Sequence, residues 1–131
     1  MSDISLPITV DLKVAQSTFS HRVYPKPVIE QAIAKLPTRD GNIIAFGGFP
    51  GIISNGVSID ANHIAFGVQS IYFIGEDLKA DIRILCTSHG AMLTNAIELK
   101  TPLHYTIQGV GNIVDNIVSN FSIIAIEAAL V

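Results

Sequence analysis

Cysteine, charge and long apolar runs are all scarce in this sequence. Cys86 is the single cysteine in 131 residues, which rules out an internal disulfide and a cysteine-based zinc site. Charged residues make up 15%, against about a quarter in an ordinary soluble domain. The 8 Lys and Arg face 11 Asp and Glu, a net charge of −3. A phosphate-binding surface needs clustered Lys and Arg, so nucleic acid is not an expected partner. No uninterrupted apolar stretch reaches the ~18 residues that a bilayer span needs, so no membrane is expected either. The start, Met1-Ser2-Asp3, lacks the basic region and apolar core of a signal peptide. The expectation is a soluble domain made inside the cell. None of the four histidines, His21, His63, His89 and His104, stands at ligand spacing such as i, i+4 from another. Neither a metal site nor a cofactor is therefore expected.

What is present is apolar. Residues of that kind make up 49% of the chain, which excludes disorder. The length suits one domain, 1–131, with little room for a second. A surface this poor in charge suggests that neighbouring subunits cover part of it. The alternative is a small monomer with a generous core.

Along the chain, the loose alternation of Ile8, Val10, Leu12 and Val14 predicts a strand over 4–14, with a loop over 16–22. Val28, Ile29, Ala32, Ile33 and Leu36 form one face at helical spacing. Pro27 fits the first turn of that helix and Pro37 ends it. A strand is expected at 43–46, then a long glycine-broken loop, then one or two strands over 57–74. Gly75-Glu76-Asp77 reads as a hairpin turn. Residues 78–85 alternate well, with Ala80, Ile82 and Ile84 on one face and Lys79, Asp81 and Arg83 on the other. Thr87 or Ser88 can cap a helix over 90–99. A strand over 102–108, a turn at Gly109-Val110-Gly111 and an apolar, central strand over 121–131 complete the reading. The fold class expected is α+β: a β-rich, barrel-like core of about seven strands with two short helices. Ile82, Ile84, Ile124 and Ile126 should be buried in it.

Taken one by one, the chemical candidates are weak. Gly47-Gly48-Phe49-Pro50-Gly51 has no Lys-Ser/Thr sequel to make a phosphate cradle. Gly109-Val110-Gly111 is too short for a dinucleotide fingerprint. Cys86 stands three residues before His89, the spacing of a possible nucleophile and base. A lone cysteine at a strand end is more often buried and inert. No Gly-x-Ser-x-Gly elbow occurs.

The order of segments carries more. His21-Arg22-Val23-Tyr24-Pro25-Lys26-Pro27-Val28-Ile29-Glu30-Gln31-Ala32-Ile33 resembles the opening "N-G-R-x-Y-P-x-x-V-L-E-x-A-I" of the tailed-phage prohead proteases. These are capsid-maturing members of the herpesvirus assemblin-like serine proteases. The run Asp77 to Gly90, D-L-K-A-D-I-R-I-L-C-T-S-H-G, is similar to the family's "L-x-G-x-I-E-I-L-x-T-P-x-G". Leu103 to Gly111, L-H-Y-T-I-Q-G-V-G, is similar to "L-G-I-S-S-R-G-x-G". Phe121 to Glu127 resembles the closing strand that ends in "D-x-V". The resemblance spans residues 20–131, preceded by an N-terminal strand and loop over 1–19.

The departures fall on the family's catalytic positions. The resemblance places the nucleophilic serine at Ile107 and the following arginine at Gln108. It places the histidine of "G-E-L-D-H-P" at Phe49 and that of "V-S-H-I-I" at Phe66, with His63 three residues away. Isoleucine and phenylalanine have neither a lone pair nor a labile proton, so they cannot supply nucleophile or base. Thr106 is adjacent to Ile107 on a strand and so faces the other way. The resemblance then implies a catalytically degenerate protease fold with no catalytic residues. It would be a structural protein of the phage head, either a decoration or cement protein or a minor head protein. Its partners would be the major capsid protein or further copies of itself, and its place the virion after synthesis in the host cytoplasm. A divergent active serine/threonine protease, or a scaffold-internal partner of one, is the alternative. Apolar residues of the stretches 43–53 and 113–118, namely Ile43, Ile44, Ile52, Ile53, Ile113 and Ile117, are the expected protein interface, the alternative being that these stretches fold back on their own barrel.

Overall fold

The computed structural model describes residues 7–14, 24–54 and 58–130. Six strands close into a barrel in the order β1 (Ile8–Val14), β8 (Asp77–Ile84), β7 (Ile64–Ile74), β4 (Ala45–Gly48), β10 (Ile117–Leu130) and β9 (Leu103–Val114). Strand β1 (Ile8–Val14) runs antiparallel to β8 (Asp77–Ile84) from Ile8↔Ile82 to Asp11↔Lys79. Its far end runs parallel to β9 (Leu103–Val114), from Leu12↔Tyr105 to Val14↔Ile107, and so closes the barrel. The part of the expected first strand before residue 7 and the loop expected over 16–22 lie outside the described residues.

Helix α1 (Lys26–Ala34) has Pro27 in its first turn, as expected, and buries Ile29 and Ala32. It packs against β10 (Ile117–Leu130). Leu36 lies just beyond its end and packs against the core. Two short ribbons interrupt the path to the barrel wall. Strands β2 (Thr38–Arg39) and β3 (Asn42–Ile43) pair across Asp40-Gly41, both at positive φ, 53° and 83°. Ile44 then separates β3 from β4 (Ala45–Gly48), so the single strand expected over 43–46 is two. The second ribbon pairs β5 (Ile53–Ser54) with β6 (Ser58–Ile59). A 3-10 turn (Ala61–His63) leads into β7 (Ile64–Ile74), which pairs with β8 through a tight hairpin at Gly75-Glu76.

Strand β8 behaves as its alternation requires. Leu78, Ala80, Ile82 and Ile84 are buried, while Lys79, Asp81 and Arg83 point outward. Each large side chain so buried contributes about 1.5–3 kcal/mol. Helix α2 (Ser88–Glu98) is capped by Thr87, whose hydroxyl accepts from the Gly90 N–H at 2.8 Å. It starts two residues before the expected position. Ile126 is buried with Ile82 and Ile84, but Ile124 is only half-buried.

Further expectations need correction. Gly109-Val110-Gly111 is not a turn, because β9 runs through it to Val114. The glycines are there for packing: a Cβ at Gly109 would stand 2.7 Å from Cζ of Phe121, and one at Gly111 2.1 Å from the Asn120 carbonyl oxygen. Phe121 in turn meets Tyr24 edge to face, with ring centroids 5.6 Å apart. The stretch 113–118 is likewise no loop but the end of the β9–β10 hairpin, turned at Asp115-Asn116 with φ of 52° and 65°. Cys86 is exposed, not buried.

Candidate functional site

The barrel register fixes what stands where the family resemblance places catalytic groups. Ile107 on β9 pairs with Ile126 on β10, Ile126 with Gly47 on β4, Gly47 with Phe66 on β7, and Phe66 with Ile84 on β8. Residues directly opposite share a face, so this row points into the barrel. Ile107 and Phe66 are both 0% exposed. The Phe66 ring lies over Gly47, where a Cβ would be 2.2 Å from its Cζ, and meets Tyr105 edge-on at 6.2 Å. Gly48, next in the chain, has the His63 carbonyl oxygen 2.2 Å from where its Cβ would be. The glycine pair thus serves close strand packing and not ligand contact.

Thr106 is half-buried on the opposite face of β9, with Lys13 and Glu127 as its register partners. The row of hydrocarbon side chains and this hydroxyl therefore look into different spaces.

Phe49 lies elsewhere, in the loop after β4, beside His89. Its ring centroid is 6.4 Å from that of His89, and the His89 ring stacks on His63 at 5.0 Å with planes 13° apart. Nδ1 of His89 is 2.9 Å from the Asn62 carbonyl oxygen. Nδ1 of His63 is closed to solvent and lies 2.9 Å from Asp60 Oδ2, without the alignment of a hydrogen bond. Asp60 also caps the 3-10 turn, its Oδ1 accepting from the Asn62 N–H at 3.0 Å. So the structure brings Phe49 next to His89, which in turn stacks on His63, while Phe66 goes to the barrel interior. One-dimensional spacing concealed this cluster, since its two histidines are far apart in sequence. The one local signal was Asp60 three residues before His63. Stacked rings direct their in-plane lone pairs side by side instead of toward one point. Among the described residues no group of three or more His, Cys, Asp or Glu could hold a metal ion.

The expected interface residues divide. Ile52 is 0% exposed and belongs to the core. Its N–H donates to the Phe49 carbonyl and its carbonyl accepts from the Asp60 N–H, and its Cδ1 lies 3.2 Å from where a Cβ of Gly48 on β4 would stand, so the loop folds back on its own barrel. Ile43 and Ile53 are half-buried and Ile44 is exposed. At the β9–β10 hairpin end Ile113, Val114 and Ile117 are 41%, 61% and 48% exposed. Val118, across from Ile113, is buried. The outward sheet face carries a carboxylate, Asp81, that accepts from Thr9 Oγ1 at 2.7 Å, Tyr72 OH at 2.9 Å and Ser70 Oγ at 3.0 Å. The Thr9 bond above all, with those from Tyr72 and Ser70, holds its pKa below the ordinary carboxylate range against the opposing effect of burial. Burial pushes the Tyr105 phenol up.

A closed six-stranded mixed barrel with two helices is the prohead-protease-like fold, and the solved structures agree. The chain is similar to the bacteriophage T4 capsid assembly protease, gp21, with a TM-score of 0.76 over 97% of this chain and 82% of that one. Sequence identity between the two is 19%. No protein-family model and no curated protein matches the chain.

Proposed function

We propose that this chain is a non-enzymatic structural protein of a phage head, a decoration, cement or minor head protein built on a prohead-protease-like barrel. One observation carries the reading: Ile107, at the position that resembles the family's nucleophile, is wholly buried in the barrel interior. Phe66 is buried with it and Phe49 stands where the resemblance places the other histidine, so none of the three can attack or accept a proton. The fold likeness to a capsid assembly protease supplies the phage-head context. The exposed apolar residues Ile113, Val114 and Ile117 supply a surface suited to the major capsid protein or to further copies of this chain. The chain's place by this reading is the virion.

A second reading, a divergent maturation protease or a scaffold-internal partner of one, has one observation in its favour. His63 lies beside the Asp60 carboxylate, the relation of a base to the group that orients it. Incubating the purified chain with precursor capsid and scaffold proteins separates the two. The structural reading expects no cleavage and no labelling by serine-directed phosphonates. Cleavage that Thr106→Ala or His63→Ala abolishes would establish the enzyme instead.

A further inference from the structure

Strand β1 covers the outer edge of β9 only as far as Ile107, which it meets at Val14. From Gln108 to Val114 no strand among the described residues lies on that side, and residues 110–114 are exposed one after another. The backbone there has a definite orientation. The Asn112 N–H donates to Asn120 Oδ1 at 3.1 Å, and its carbonyl accepts from Ser119 Oγ at 3.3 Å, so both groups of Asn112 face β10. Successive residues of an antiparallel strand alternate, so the N–H and C=O of Gly109, Gly111 and Ile113 face the open side. Nothing blunts this edge. Residues 108–114, Q-G-V-G-N-I-V, include no lysine, proline or charge, the usual protections of a free edge. Both irregularities in the β9–β10 pairing put the extra residue on β10, so β9 stays regular. We propose that this edge pairs with the same edge of a second copy of the chain, antiparallel, across a two-fold axis at Gly111.

The symmetry of the edge and its lack of charge favour a second copy. Setting Gly111 against Gly111 of the second copy sets Gly109 against Ile113, and Ile113 against Gly109. Each of these pairs exchanges two N–H···O=C bonds, so every outward group is used. The Ile113 side chain then lies beside a residue that has none. Asp115 falls opposite Ile107 of the second copy, where β1 already holds the edge, so the pairing fills the open length and stops. A two-fold contact sets a surface against itself and so meets its own charges. Asp115 is the only Asp, Glu, Lys or Arg over 101–126. Antiparallel pairing keeps the two Asp115 carboxylates about 26 Å apart along the strands at the usual rise, well beyond the screening length of physiological salt. Because the axis uses the edge up, association ends at two chains. The inference rests on the proposed function only for where the pair is used. The purified chain alone tests it, so its failure leaves the head reading standing.

Sedimentation equilibrium of the full chain should show the average mass rise from one chain toward two with concentration. Over the same range, amide exchange at Gly109, Gly111 and Ile113 should slow. Val110→Lys with Asn112→Lys, both at exposed positions, sets lysine directly opposite lysine on each side of the axis. Association should then weaken by about tenfold. Val110→Lys with Asn112→Glu sets opposite charges there and should restore it. A single chain at every concentration up to about 1 mM, undiminished association of the double-lysine variant, or no recovery in the Lys/Glu variant would each overturn the proposal. So would exchange at the three amides that is independent of concentration. A chain that stays single and binds the major capsid protein through these residues would give the edge to that partner and overturn the self-pairing.

Discussion

The Phe66 ring fills the space that a side chain at Gly47 would need. The two residues face each other across β4 and β7, and a Cβ at 47 would stand 2.2 Å from Cζ of Phe66 and 2.5 Å from the Ile126 carbonyl oxygen. Strand pairing and the filling of the barrel are thus tied together at one point.

Gly47→Ala should therefore destabilise the chain by about 1–3 kcal/mol, the usual cost of overpacking a filled core. Urea denaturation measures it. Phe66→Leu in the same chain should recover only part of the loss, because the clash with the Ile126 backbone stays. A neutral Gly47→Ala would mean that β4 and β7 are further apart than described.

Ile52→Ala should cost about 2–5 kcal/mol, as for other fully buried aliphatic side chains. Ile52→Asp should not fold, since an unpaired carboxylate would be buried. Circular dichroism and denaturation read both. An Ile52→Asp chain that folds with ordinary stability would return this loop to the exposed surface.

Much of this was legible in the sequence, and what was not has physical causes. The β8 alternation and the α1 stripe are one-face patterns, and burial follows them directly. The role of Gly109 and Gly111 could not be read locally. A glycine that relieves a close approach looks like a glycine that makes a turn until Phe121 is seen across the strand. Ile52 misled for a related reason, because an apolar residue among glycines looks the same whether its loop faces outward or folds back. The His63–His89 stack depends wholly on tertiary contact. The family resemblance located Ile107 and Phe66 on strands, and the register then placed both in the barrel interior.

The Asp81 carboxylate gives a pH dependence with a definite sign. Its pKa is held below the ordinary carboxylate range in the folded state, chiefly by the Thr9 hydroxyl. Its contribution is thus present above the ordinary carboxylate pKa and is lost as pH falls through the lowered, folded-state value. Asp81→Asn should flatten the acid limb of a stability-against-pH curve measured by urea denaturation. A limb of unchanged slope in Asp81→Asn would show that other groups govern acid stability.

The hairpin end offers the test of assembly. Ile113→Asp with Ile117→Asp places charge on exposed apolar residues, so the variant should fold with stability within about 0.5 kcal/mol of the parent. If this end meets the major capsid protein or another copy, incorporation into heads should be lost, because a carboxylate buried unpaired at an interface is costly. A double variant that folds and incorporates normally would clear the hairpin end of that role.

The central claim is that the chain is a lasting part of the head and not an agent of its maturation. Quantitative mass spectrometry of purified mature virions tests it most directly. The account predicts the intact chain in mature particles, in fixed ratio to the major capsid protein. Its absence from mature virions, or its presence only as fragments there while the whole chain is found in proheads, would contradict the account.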